Sequence, residues 1–336
     1  DQPFVSIVTP LFNMAAYLPE CIEGVLAQTY GNFEWVIVDN QSTDGSYELA
    51  ARHAATDSRI RLVRNPKFLD MLSNFNEALA QASPAAKYVK YALADDVLFP
   101  ECVARLVEVA EKEPTAGMVG SYYLFGEELG GAGVPRGQRV LAGREACRLM
   151  LRGGKFMVGS PTSVLYRAGV VRARRPCFRP GRLHADTELA YEVLLEHDLG
   201  FVHQVLSFIR TDNVSFTTST QAFHPNLLDR LIVLELYGAK VFGPEEFSRL
   251  RADVRRAYFR FLGRASLRRK PPRFWEYHRA GLASVGITLR PGALVPWALG
   301  AMVRLALDPL TTVPLVAREV RKRLAGASGD LGRAGG

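Results

Sequence analysis

Tyr88-Val89-Lys90-Tyr91-Ala92-Leu93-Ala94-Asp95-Asp96 is a short run of strand-forming residues that ends on two adjacent carboxylates. Val97-Leu98-Phe99-Pro100 follows, and Pro100 can open a helix at its first position, where the missing N–H is not needed. Ionised neighbours repel, so a carboxylate pair at a strand end implies either a bound cation or a solvated turn. Hard oxygen ligands suit Mg²⁺ or Mn²⁺, and Mg²⁺ is commonly held by one or two carboxylates together with substrate phosphates. The flanking sequence bears on the choice.

Upstream, Val5-Ser6-Ile7-Val8-Thr9-Pro10 reads as a buried parallel strand stopped by Pro10. Pro19 to Gln28 reads as a helix, with Ile22, Val25 and Leu26 on one face. Phe33 to Val38 is a second strand with Asp39 at its carboxyl end, and Asn40 to Ser46 is built of turn and N-cap residues. Tyr47 to His53 opens the next helix, Ile60 to Arg64 is a third strand, Asn74 to Ala82 a helix, and Tyr88 to Leu93 the fourth strand. This alternation predicts βαβ units and a parallel sheet with right-handed crossovers. Ligands of open parallel sheets bind beyond the carboxyl ends of the strands. Thr9, Asp39 and Asp95 fall at such ends. Asp39 by itself reads equally as an N-cap or turn residue.

Downstream, Cys102 to Glu113 is an amphipathic helix and Met118 to Tyr123 a strand. Glu127 to Gly143 reads as a glycine-rich mobile loop. Gly153-Gly154 and Gly159-Ser160-Pro161 frame a segment where backbone approaches a ligand or another chain closely. Ser163 to Tyr166 is a strand, Arg172, Arg174 and Arg175 a solvated basic loop, and a helix begins at Asp186 behind His184-Ala185. Phe201 to Ile209 is a last strand, and Arg210 to Ser219 a polar loop.

From Leu227 the composition changes. Leu227 to Val241 and Glu245 to Leu262 read as helices with outward arginines, and Leu294 to Leu307 is strongly apolar. The uncharged run from Pro291 to Val303 falls short of the roughly 20 residues that span a bilayer. Asn226 to Gly336 carries 20 Lys+Arg against 9 Asp+Glu, whereas residues 1–225 carry 22 against 25, so the net charge of +8 originates in the last third. Such a surface suits anionic lipid, a pyrophosphate-bearing substrate or nucleic acid. Nucleic acid is disfavoured because the arginines form no recognised motif. The four cysteines, Cys21, Cys102, Cys147 and Cys177, lie far apart with no CxxC pair, which suits a reducing compartment. A strand begins within five residues of the first, with no signal-peptide pattern ahead of it.

The chain resembles the inverting glycosyltransferases of family 2. The motifs that carry the resemblance are Val5 to Asn13, Val36 to Ser46, Asn74 to Leu79, Ala94-Asp95-Asp96 and Asp186 to Leu189, in family order over residues 4–215. The resemblance implies an α/β fold of GT-A (Rossmann-like) type: a mixed, mainly parallel sheet flanked by helices, with a helical C-terminal extension. It implies a nucleotide-sugar donor, most commonly a UDP-sugar. Thr9, Pro10 and Asn13 match the loop that cradles base and ribose, and Asp39 the carboxylate that reads the pyrimidine edge. Asn65, Lys67 and Asn74 match further nucleotide contacts; Lys67 also reads as a surface lysine. Asp95 and Asp96 match the motif that holds Mg²⁺ or Mn²⁺, with Leu93 where the family places a first Asp, and Asp95 is counted with the nucleotide contacts too. Asp186 matches the catalytic base, with Ala185 in place of a Glu. Taken by itself, Asp186 reads as an N-cap ahead of an apolar helix. Gly159, Ser160, His184 and Glu188 are the candidate acceptor contacts; His184 reads equally as a loop histidine.

These readings give a catalytic domain over 1–225, a basic helical region over 226–325 and a disordered tail over 326–336. The acceptor is expected to be a glycan or polyprenyl-linked intermediate, with the protein in the cytoplasm or on the inner face of the cell membrane. The C-terminal helices either lie on that membrane, pack on the sheet, or meet a second subunit. The competing reading is a nucleotide-sugar-binding protein without turnover, since Leu93 and Ala185 stand where carboxylates are usual.

Overall fold

The computed structural model describes residues 2–180, 182, 184–211, 223–268, 270–290 and 292–307. The chain divides into two compact units, one of residues 1–222 and 236–247, the other of residues 223–235 and 248–336.

The first unit is built on one ten-stranded sheet among the described residues. Strands β1 (Val5–Leu11), β2 (Phe33–Asp39), β3 (Ile60–Arg64) and β4 (Tyr88–Tyr91) form its parallel part. β5 (Val97–Leu98), β6 (Ala116–Phe125), β7 (Glu128–Gly130), β8 (Val140–Leu141), β9 (Val164–Arg167) and β10 (Asp198–Ile209) complete it. The order is β3-β2-β1-β4-β9-β6-β10-β5, with β7 paired to β6 and β8 to β10. β9 runs antiparallel to both β4 and β6. The sheet is therefore mixed and mainly parallel.

Every residue of β1 is buried, as a parallel strand covered by helices on both faces requires. Pro10 does not stop it: the strand runs on to Leu11, because Leu11 supplies a carbonyl to Asn40 N–H while Pro10 has no N–H to lose. The helices are α1 (Leu18–Leu26), α2 (Ser46–Ala54), α3 (Met71–Ala80), α4 (Cys102–Lys112), α5 (Gly143–Leu151), α6 (Ala168–Arg172) and α7 (Ala185–Leu194). α3 begins three residues earlier than its apolar spacing suggests, because Asp70 caps it by accepting from Ser73 N–H. The core joins Val5, Ile7, Leu11, Trp35, Ile37 and Tyr88 to Cys21, Ile22 and Val25 of α1 and Cys102, Val103 and Leu106 of α4.

Two loop readings are corrected. Glu127 to Gly143 contains a hairpin: Gly126, at φ +58°, turns β6 into β7, and Phe125 pairs with Glu128. Arg172 and Arg174 do not form a solvated loop. Arg172 donates to the carbonyls of Pro84 (3.1 Å), Ala86 (3.3 Å) and Ser83, and Arg174 to those of Val170 (2.7 Å) and Glu192 (3.2 Å) and to Glu196. They close the open carbonyls of neighbouring turns and of helix ends.

The second unit is helical. Helix α8 (Pro225–Val241) contributes to it as far as Glu235. α9 (Pro244–Ser266), α10 (Pro272–Ala283) and α11 (Val295–Leu307) follow. His278 is fully buried among Tyr258, Phe261 and Phe274. Its Nε2 donates to Phe223 O at 3.0 Å, since a carbonyl can only accept, so Nδ1 accepts from the Tyr258 hydroxyl at 2.8 Å. Glu235 is gripped by Arg251 at 2.8 Å and Arg255 at 2.6 Å. Among the described residues no helix is long and apolar enough to cross a membrane. Arg318 to Arg323, the tail from 326 and most of the loop from Arg210 to Ser219 lie outside the described residues.

Candidate active site

The register places Leu11 beside Asp39, and Asp39 beside Arg64. The segments that follow β1 to β4 therefore leave the sheet along one edge. Within β1, Thr9 and Pro10 are buried. Thr9 Oγ1 donates to Ala92 O at 2.6 Å and accepts from Trp35 Nε1 at 2.9 Å. Its side chain ties three strands together, whereas Asn13 stands exposed in the loop beyond.

Asn13 adopts φ +51°, a left-handed conformation that Asn tolerates better than most residues. Its Oδ1 accepts from Thr43 N–H at 2.9 Å, and its own N–H donates to Ser42 Oγ at 3.0 Å. Met14 N–H donates to Ser46 Oγ and Ala15 N–H to Asp44. The loop after β1 is thus laced to the turn after β2. Burial pushes the Asp44 carboxyl up, but donation from Ser46 and Ala15 outweighs it and holds the group below its usual range.

Asp39 is fully buried at the end of β2. Both its oxygens accept from Ser42 N–H, at 3.2 and 3.3 Å, and Arg64 Nε lies 3.2 Å away. Arg64 in turn covers the Tyr47 ring at 4.6 Å. Asn65 and Asn74, expected as nucleotide contacts, join Asn40 in a buried amide cluster. Asn65 Nδ2 donates to Asn40 Oδ1 at 3.0 Å and to Asn74 Oδ1 at 2.9 Å, while Asn40 exchanges two hydrogen bonds with the Leu69 backbone. These side chains hold the loop that carries Lys67. Lys67 is exposed, beside Phe68, whose ring meets Phe12 edge-on at 5.0 Å.

The two carboxylates after β4 are not equivalent. Asp96 is buried and spoken for: Oδ2 accepts from Thr162 Oγ1 at 2.5 Å, and Oδ1 from Arg210 N–H at 3.1 Å. Burial, and then the Asp95 charge, raise its carboxyl well above the usual range against the pull of Thr162, Arg210 N–H and Lys90. Asp95 is half-buried, and its carbonyl accepts from Arg210 Nε at 3.1 Å. Arg210 continues to Glu20 at 2.8 Å and over the Tyr17 ring. Beneath the pair lies Lys90, fully buried, its Nζ donating to Tyr91 O at 3.2 Å and to Thr162 O. Burial lowers its pKa, and the Asp96 charge offsets part of that. Among the described residues no group of three or more His, Cys, Asp or Glu converges on one point. A divalent ion here would need oxygens of a bound diphosphate besides the carboxylate of Asp95 or Asp96.

Asp186 sits in the first turn of α7, where a negative charge faces the positive end of the helix dipole. It is not the N-cap; His184 occupies that position without a side-chain cap bond. Asp186 Oδ1 accepts from Thr187 N–H at 2.8 Å. Burial raises its pKa, against the opposing pull of His184 and the backbone N–H groups. Glu188 is buried with Oε1 3.5 Å from Arg182 Nε and Oε2 without a hydrogen-bond partner among the described residues, and burial raises it as well. Ser160 caps a single 3-10 turn, Pro161–Ser163, by accepting from Thr162 N–H at 3.1 Å. Gly159, at φ +76°, lies against Tyr123: a methyl group there would stand 2.3 Å from the ring. Gly130 flanks the same ring equally closely. The Asp186 charge adds to the burial that raises Tyr123.

Lys90, Arg64, Arg210 and Tyr123 adjoin the candidate residues, and the sequence reading does not single them out. Lys90 alone carries a usable signal, a lysine in the middle of a strand whose neighbours are apolar on both sides.

The model of the family described as glycosyl transferase family 2 matches residues 6–174, half of the chain. The chain belongs to glycosyl transferase family 2. Among curated proteins, the putative glycosyltransferase EpsE of Bacillus subtilis is 29% identical over 218 residues, 64% of this chain and 75% of that protein. The glycosyltransferase GlyG of Streptococcus pneumoniae is 29% identical over 126 residues, 38% of this chain and 41% of that protein. Among solved structures, S. aureus TarS 1-349 in complex with UDP-GlcNAc superposes with a TM-score of 0.62 at 16% identity, covering 84% of this chain and 80% of that one. The mannosyltransferase PcManGT of Pyrobaculum calidifontis, in complex with GDP-Man and Mn²⁺, gives a TM-score of 0.51 at 17% identity over 91% and 81%. The family-2 fold is the GT-A fold that the sequence motifs imply.

Proposed function

We propose that the chain moves a sugar from a nucleotide sugar, first of all a UDP-sugar, to a hydroxyl of a glycan or polyprenyl-linked acceptor in cell-surface polysaccharide synthesis, inverting the anomeric carbon by a single displacement. The observation that carries this reading is the row of carboxylates, Asp39 and Asp95, at the carboxyl edge of the parallel strands of a family-2 fold. Asp39 accepts the ring N–H of uracil, an interaction that the bare ring nitrogen of cytosine cannot make. Asp95 would hold Mg²⁺ or Mn²⁺, which when bound would supply Lewis-acid neutralisation of the departing nucleoside diphosphate. Asp186 takes the acceptor's hydroxyl proton as the new bond forms, and its desolvated setting brings its basicity closer to that task.

Two findings support a nucleotide-sugar donor. TarS and PcManGT share the fold and hold UDP-GlcNAc and GDP-Man respectively. A thermal-shift screen of UDP-, GDP- and dTDP-sugars, with and without Mn²⁺, tests the reading, since a ligand that binds only the folded state raises the melting temperature by mass action. The expected result is a Mn²⁺-dependent shift with a UDP-sugar. A shift with GDP-sugars alone would remove the role given to Asp39. The second reading, binding without turnover, rests on Leu93 and Ala185. Slow hydrolysis of the bound donor in Mn²⁺ decides against it.

A further inference from the structure

We propose that the second unit docks on an anionic lipid surface through α11 and the arginine ladder of α9. α11 has two faces. Trp297 packs its Cβ against Gly263 of α9 and stacks its ring on Phe259 at 6.3 Å, with Ala301 buried one turn on. On the opposite side, Val295, Leu299, Val303 and Leu307 follow one another every fourth residue, with Met302 beside Val303, and all lie exposed, Leu307 by 78%. That spacing makes one continuous apolar stripe on a helix. Isolated exposed apolar residues need no explanation, but a contiguous stripe marks a surface that something covers.

The charge beside it says what. Arg256, Arg260 and Arg264 recur every fourth residue along α9, and Arg268 keeps the spacing just past its end; all four are exposed. Like charges at this spacing destabilise a helix. The ion pair recorded for this row among the described residues is a long one, Arg256 to Asp253 at 3.8 Å. Arg260 and Arg264 are the neighbours in sequence of Phe259 and Gly263, which carry α11. An apolar stripe and a basic row borne on two packed helices match the apolar and charged zones of an anionic bilayer surface. A second copy of the chain is the weaker occupant. A two-fold interface sets the same patch against itself and would bring the arginine rows of both copies together.

The test uses the full chain and sedimentation with vesicles of phosphatidylcholine alone or with 30% phosphatidylglycerol. Binding at least tenfold stronger to the anionic vesicles is expected, and it should weaken in 0.5 M salt, which screens exposed charges. Leu299→Glu with Val303→Glu should abolish binding, and Arg260→Glu with Arg264→Glu should abolish the preference for anionic vesicles. Melting temperature should be unchanged in both, because these side chains are exposed. If the double glutamate variant fails to fold, Leu299→Ser with Val303→Ser makes the same test. Three outcomes overturn the proposal: no binding to either vesicle, binding that the stripe variants leave intact, or a dimer in analytical ultracentrifugation that the stripe variants dissociate while the wild-type dimer ignores vesicles.

Discussion

At the scale of single residues, Asp96 is fixed by the hydrogen bonds that it accepts from Thr162 and Arg210. Asp96→Ala strands the Thr162 hydroxyl and Arg210 N–H without their acceptor, and leaving buried donors unpaired costs about 1–3 kcal/mol each. A melting temperature lower by several degrees is the expected outcome, measured with metal chelated. Asp95→Ala should remove the Mn²⁺ dependence of donor binding in calorimetry. Asp186→Asn keeps its shape, and donor affinity should barely move. A general base contributes about 10²–10⁴-fold, so kcat should fall by that range where chemistry limits the rate. A near wild-type kcat there would pass the role to Glu188 or His184. Asp39 and Asp95 stand out in the sequence because an acid at the end of a buried strand contrasts with apolar neighbours. The internal hydrogen bonds of Asp96 do not show there, since its partners Thr162 and Arg210 lie 66 and 114 residues away. The internal hydrogen bonds of Thr9, Asn65 and Asn74 are hidden for the same reason: sequence shows a polar side chain at an edge, but not the distant backbone or amide that takes up its hydrogen bonds.

At the scale of elements, β1 to β4 were readable because each parallel strand is apolar nearly throughout and is punctuated by turn residues. The hairpin β6–β7 and the helix α5 were not. Glycines near 127–143 look like loop, yet Gly130 and Gly159 are there to admit the Tyr123 ring from two sides. The β-strand, the hairpin and the loop before the 3-10 turn therefore act as one clamp on a tyrosine that senses the Asp186 charge. Gly159→Ala should break it. The backbone at φ +76° strains any L side chain, and the added methyl meets the ring. Strain of this kind costs about 1–3 kcal/mol. Chemical denaturation should show that loss, and, with Asp186 as the base, kcat should fall more than donor affinity, because Tyr123 feels the Asp186 charge.

At the scale of the whole molecule, the two units carry titrating groups displaced in opposite directions. In the first, burial raises Asp96 from 3.8 to about 7, and raises Asp186 and Glu188 as well. Between pH 4 and 7 the folded state keeps a proton at Asp96 that the unfolded chain has released, so this contribution to stability falls as pH rises. In the second, burial lowers His278 from 6.5 to about 4. Between those values the unfolded chain binds a proton that the folded state refuses, so this contribution rises with pH and is complete above 6.5. The two slopes oppose each other over nearly one window. Single substitutions, each read against the wild-type profile between pH 4.5 and 6.5, uncover each slope. His278→Gln removes the proton site in the second unit. Its melting temperature should then fall relative to wild type as pH rises through this range, whatever the absolute loss from disturbing the Tyr258 hydrogen bond. Asp96→Asn, in chelator, should show the reverse, a melting temperature that climbs with pH relative to wild type. Melting curves of the three proteins at four pH values make the comparison. Parallel pH profiles for all three would mean that neither group titrates where its burial places it.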